Sequence, residues 1–177
     1  MTSVQQSNAS EVPAVLEIHR TAFGKEDEAG LVQKLLDDPS AQPRLSLVAQ
    51  HDGNLIGHVL FTKVHLQGED VAASILCPLA VLPEHHGQGV GSALVREGLQ
   101  QLRGSACDLV FVFGDPAYYG RFGFEQADFD RYPTPQPIPD AYRPGWMVQS
   151  LSEKYIDHWQ GKVICADMLN DPKYWTD

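Results

Sequence analysis

The most constraining feature of this sequence is a turn with glycine at every second position. Gly87-Gln88-Gly89-Val90-Gly91-Ser92 follows the apolar run Leu79-Ala80-Val81-Leu82 and precedes a helical pattern of Ala93, Leu94, Val95, Gly98, Leu99 and Leu102. The first turn of a helix has N–H groups without helical partners and a partial positive charge. Removing Cβ atoms there lets a phosphate come within reach of those donors. Such a site needs no basic side chain, so it can serve a chain with 13 Lys and Arg against 23 Asp and Glu, a formal charge of −10. The spacing is not the GxGxxG of a dinucleotide site, and it lacks the GK[ST] ending of a P-loop. Taken alone, the glycines also fit a tight turn that binds nothing.

The flanking pattern narrows this. Glu11 to Phe23 and Glu26 to Leu36 have near-helical apolar spacing, with Ser10 as the expected N-cap of the first helix and Gly24 between the two. Leu45 to Gln50, Leu55 to Leu66 and Val71 to Leu82 read as three strands of an antiparallel meander, with a turn at Asp52-Gly53-Asn54. After the glycine turn and its helix, Cys107 to Phe113 is a continuous apolar run, expected as a strand buried on both faces. A strand, helix and strand in this order imply a parallel pair. Pro116 to Phe122 reads as a short helix, the proline-rich stretch Arg131 to Trp146 as a loop, and Met147 to Leu151 as a last strand. The fold class is therefore α/β (α+β), with a mixed central sheet. A single domain is expected over 1–177, with its core at about 10–150 and an appendage at 152–177.

Composition excludes several functions. The acidic balance works against nucleic acid and against anionic membranes, and it suits a cationic acceptor such as an amine. No apolar run approaches the ~18 residues of a membrane span, and Met1 to Pro13 does not read as a secretory signal. Cys77, Cys107 and Cys165 form no CxxC pair, which points to reduced thiols and a cytoplasmic location. His85-His86 lacks a third ligand nearby, so no metal is expected.

The chain resembles the GNAT superfamily of N-acetyltransferases, on residues that can be quoted. The family's cofactor motif is Gln or Arg, two residues, Gly, one residue, then Gly or Ala; here it is His86-Gly87-Gln88-Gly89-Val90-Gly91, with His86 departing at the first position. Leu79 to Pro83 is similar to the family's fourth strand, and Gly114 to Phe124 (GDPAYYGRFGF) to a segment of its small YhbS-like branch. The resemblance covers about 10–150 and implies the GNAT fold, with a splayed parallel pair of strands.

It also implies acetyl-CoA as cofactor, held by Leu79, Ala80, Val81 and Leu82 along the pantetheine arm and by Gly87, Gln88, Gly89, Val90, Gly91 and Ser92 around the pyrophosphate. An N–H at Val81 or Leu82 would polarise the thioester carbonyl. The family's Tyr-x-x-x-Gly-Phe spacing fits Tyr119, Gly123 and Phe124, which makes Tyr119 the expected acid for the departing thiolate. Its neighbour Tyr118 points ~100° away on a helix. His65, Glu69, Asp70, Cys77 and Glu84 are weaker candidates for a base, and Asp115 reads as a helix cap. The implied reaction is direct transfer of acetyl to a primary amine, on a small or peptide acceptor bordered by the two early helices and the proline-rich loop. The alternative is a module that binds CoA without turnover. The family often forms homodimers, but no exposed seam is visible in this sequence.

Overall fold

The computed structural model describes residues 1–176. Its centre is a mixed sheet. Strands β1 (Thr2–Gln6), β2 (Leu45–His51), β3 (Asn54–Leu66), β4 (Ala73–Val81), β5 (Leu109–Phe113), β6 (Glu125–Gln126) and β7 (Trp146–Ser150) lie in the order β1-β2-β3-β4-β5-β7-β6, and β8 (Val163–Ile164) pairs with β3. The β4–β5 pairing is parallel and every other one is antiparallel. This is the mixed sheet, meander and parallel pair expected from the sequence.

Alternation along the strands sends side chains to two faces. Helix α3 (Val90–Gly104) covers one face, packing Leu94, Val95 and Leu99 against Val59, Phe61, Leu76, Val110 and Val112. Gly98 makes this closeness possible, because a Cβ there would run into the Phe61 ring. Helices α1 (Val12–Phe23) and α2 (Asp27–Leu36) cover the other face, joined through Gly24 in the left-handed conformation. The cap differs from expectation. Asn8, not Ser10, opens this region, exchanging a capping box with Glu11 across a short 3-10 turn before α1.

The core extends past 10–150 at both ends. Strand β1 adds an edge strand before the first helix. The stretch after 152 is no appendage: Trp159, Val163, Cys165, Leu169 and Trp175 are buried in the same cluster as Leu60, Phe111 and Trp146. Trp175 stacks on Phe113 at 5.7 Å and meets Trp146 edge-on at the same distance. Asp38, at the end of α2, fixes this segment by accepting a hydrogen bond from the Met168 amide (3.1 Å), while Ser40 accepts one from Asp167.

A buried histidine pair joins α1 to the sheet. His19 Nε2 and His58 Nδ1 are 2.8 Å apart, and His58 Nε2 is 2.8 Å from Ser46 Oγ on β2. Neither ring is exposed, and His19 Nδ1 has no partner among the described residues.

Candidate active site

The sheet opens where β4 leaves β5. The parallel pairing covers only Ala73–Leu76 against Leu109–Val112. On its other side, β4 pairs Leu79 with Val59 and Leu76 with Phe61, so three steps on β4 match two on β3. The extra residue falls at Cys77-Pro78 and makes a bulge, which bends its strand. Proline fits there because it has no N–H to give to a ladder.

Beyond the bulge, β4 turns part of its backbone to the opening. Leu82 N–H donates to the Ile56 carbonyl at 2.8 Å. Residues of an antiparallel ladder alternate between bonding their partner strand and facing away from it. Ala80 and Leu82 therefore turn their backbone groups to β3, and Leu79 and Val81 turn theirs to the opening. Of the four residues Leu79 to Leu82 expected along a pantetheine arm, only Leu79 and Val81 line the cleft.

At the mouth of this opening the chain makes the glycine turn. Gly87 and Gly89 have φ of 75° and 79°, a left-handed conformation that side chains rarely adopt. Val90 then starts α3. Among the described residues, none of the amides from Gly87 to Ser92 has an acceptor in hydrogen-bond geometry. These donors border a cleft of about 450 Å³ lined by Leu79, Val81, His85, His86 and the turn, together with Tyr118 and Arg121. Free amides, absent Cβ atoms and the helix end fit a diphosphate. Gln88 differs from the rest: its side chain turns back to the Glu84 carbonyl at 3.2 Å and does not line the cleft.

Two residues at the rim extend the sequence reading. His86 Nε2 lies 2.7 Å from the Val81 carbonyl. The carbonyl can only accept, so Nε2 carries the proton and the ring braces the end of β4. Arg121 was not singled out by its pattern. Its guanidinium donates to Ser92 Oγ at 3.3 Å and lies 4.7 Å over the Tyr118 ring, placing one fixed cation beside the free amides. It stands two residues after Tyr119, in the 3-10 turn Gly120–Phe122.

The two tyrosines of α4 (Pro116–Tyr119) diverge, as their positions on a helix require. The Tyr118 hydroxyl reaches Gly91, where any Cβ would collide with it, so Tyr118 stands over the glycine turn. Tyr119 turns inward, with its ring against Gly114 and Phe124. Burial first, and then Tyr118, Cys77 and Asp115, push its phenol well above the ordinary tyrosine range. Asp115 caps α4 by accepting from the Ala117 amide at 2.9 Å. His65, Glu69 and Asp70 line a separate cavity with Lys63 and Cys107, which shares no lining residue with the glycine cleft. Glu84 is exposed. Cys77 stands at the bulge, and burial, with the Glu28 charge, pushes its thiol up to about 12, which rules out a resting thiolate.

A mixed sheet with one parallel pair splayed beside a glycine-rich helix start is an acyltransferase architecture. The Acetyltransferase (GNAT) domain matches residues 3–127. The chain is 43% identical over 164 residues to the uncharacterized N-acetyltransferase YjhQ of Escherichia coli K12, covering 91% of this chain and 90% of that protein. It superposes on Escherichia coli YhbS, solved in complex with CoA, with a TM-score of 0.84, 32% identity and coverage of 96% and 92% of the two chains. A GNAT acetyltransferase from Brucella melitensis, solved with acetyl-CoA, gives a TM-score of 0.76 at 26% identity, covering 96% and 98%. The chain belongs to the GNAT acetyltransferase family.

His86 allows a direct test of how the cradle works. Because it braces a carbonyl and lends no donor to the amide row, His86→Gln is expected to change acetyl-CoA affinity by less than about threefold. Calorimetric titration of both proteins measures this, and a tenfold change would mean that the ring itself contacts the cofactor.

Proposed function

We propose that this protein transfers the acetyl group of acetyl-CoA directly to a primary amine, in a ternary complex. The observation that carries this reading is the row of free amides from Gly87 to Ser92, set beside the splay of β4 and β5. Those amides, with Arg121 at the rim, would hold the pyrophosphate. The backbone groups of Leu79 would hold the pantetheine arm as a neighbouring strand would, since the Val81 carbonyl is already engaged by His86. Acetyl-CoA, when bound, supplies an acetyl group activated as a thioester.

The protein's own groups then have two tasks. The Val81 N–H faces the opening, whereas that of Leu82 is occupied by Ile56, so Val81 is the donor for the developing oxyanion. Tyr119 holds the proton. Its raised pKa keeps the hydroxyl protonated at any physiological pH, and no hydrogen bond to it occurs among the described residues. Tyr119 Oη gives its proton to the departing sulfur and regains one from the acylated nitrogen. The amine arrives as ammonium and gives one proton to water before it attacks.

The test is a CoA-release assay against a broad panel of primary amines, with acetyl-CoA binding measured by calorimetry on the same preparation. Acetyl-CoA binding together with amine-dependent release is the expected result. Failure to bind acetyl-CoA would sink the reading, and binding without release across the panel would favour a CoA-holding module.

A further inference from the structure

A buried carboxylate oxygen without a donor is costly, because it has given up water and gained no bond in exchange. Glu28 carries one: its Oε1 is buried and has no hydrogen-bond partner among the described residues. Glu28 precedes Leu31 by three positions and Leu35 by seven on α2, a spacing that places all three on one helix face. Leu31 and Leu35 are buried beneath the sheet, and Cys77, at the β4 bulge, packs against the same cluster. Glu28 thus stands at the end of that apolar stripe, with its buried oxygen on the side of α2 that faces the sheet. The Glu28 charge helps to raise the Cys77 thiol, so the carboxylate lies within electrostatic reach of the bulge. The neighbouring carboxylates are engaged elsewhere: Glu17 and Glu26 pair with Arg20, and Asp27 with Lys25. Glu28 has no cation of its own in the described ion pairs.

We infer that Glu28 selects the acceptor by receiving the ammonium group of a primary amine at the splay, on the face of the sheet opposite α3. This rests on the transferase reading above. An ammonium offers three donors and a full positive charge, which is what an orphaned, partly desolvated carboxylate lacks. The amine would then approach from the α2 side while Tyr119 stands on the α4 side, leaving Cys77 between them as a neutral thiol. Nothing in this arrangement requires a charged group elsewhere on the acceptor, so simple aliphatic amines satisfy it.

The test compares wild type, Glu28→Gln and Glu28→Asp, each saturated with CoA, in calorimetric titrations with putrescine and with its neutral counterpart butanediol. Wild type is expected to bind the diamine in preference to the diol. Glu28→Gln should bind the diamine at least about tenfold more weakly, and Glu28→Asp should keep part of the affinity. Acetyl-CoA affinity should stay within about twofold in all three, and Glu28→Gln should melt no lower than wild type, since the buried Glu28 Oε1 has no hydrogen-bond partner to lose. In turnover, the loss should appear as a raised KM for the amine more than as a lowered kcat. Equal diamine affinity in wild type and Glu28→Gln would overturn the inference, as would a wild type that fails to prefer the diamine. A wild type that does not bind acetyl-CoA would overturn the transferase reading itself, and the two failures are told apart by that titration.

Discussion

Tyr119→Phe is expected to lower kcat by about a hundredfold or more, within the range that a positioned general acid contributes, while acetyl-CoA affinity stays nearly unchanged. The variant removes one hydroxyl and keeps the ring that packs against Phe124, Tyr118 and Gly114. Packing loss therefore cannot account for a large effect. The hydroxyl has no structural hydrogen bond to lose, so stability should hold or improve slightly. Tyr118→Phe serves as the control. Its hydroxyl sits at Gly91 beside Ser92 and Arg121, so its removal should weaken acetyl-CoA binding more than it slows the chemical step. Steady-state kinetics at saturating acetyl-CoA separates the two. Unchanged kcat in Tyr119→Phe would leave the thiolate to be protonated by solvent.

Acid should unfold this protein unusually early. Burial lowers the His19 imidazole from 6.5 to about 4, and burial together with the neighbouring His19 lowers His58 to about 3. Both groups are depressed, so the unfolded chain binds protons more readily than the folded one below pH 6.5. The stability they confer is complete above that value, falls as pH drops, and stops changing only below the folded values near 3 to 4. Each unit of difference is worth about 1.4 kcal/mol, so the pair acting together removes several kcal/mol between pH 6.5 and 4.5. Urea unfolding across that window should show a steep fall in midpoint. A His19→Leu/His58→Leu variant should show a much shallower one, with Ser46 still bonded to Ser7 at 2.6 Å. Equal slopes would assign the acid sensitivity to carboxylates instead.

Much of this architecture was legible in the sequence where the cause is local. The glycine turn, the helix after it and the buried strand Leu109–Phe113 follow from spacing within a dozen residues. The same holds for α4, whose proline and capping aspartate are adjacent in sequence. Features that depend on distant partners were not legible. Strand β1 is mostly polar, with Val4 as its one apolar residue, and exists because β2 offers it an edge. Which β4 residues face the cofactor depends on a register with β3 that a bulge resets. His58 did leave a trace, as a histidine inside the apolar run Ile56 to Phe61, but its partner His19 lies on another element. Glu28 left none, because an acidic residue in the first turn of a helix is an ordinary finding.

The aromatic cover over β5 and β7 also governs when the protein can finish folding. Phe111 stacks on Trp146 at 5.2 Å, Phe113 on Trp175 at 5.7 Å, and Trp175 closes over both. During synthesis the cofactor side, contained in residues 79–124, emerges long before that cover exists. A ribosome that has made the glycine turn, α3 and α4 still holds a chain in which Phe111 and Phe113 lack the tryptophans that cover them. The last contacts to form are thus those of Trp175 with Phe113 and Trp146, and a chain halted before residue 175 would present that surface to chaperones and proteases, however complete its glycine turn.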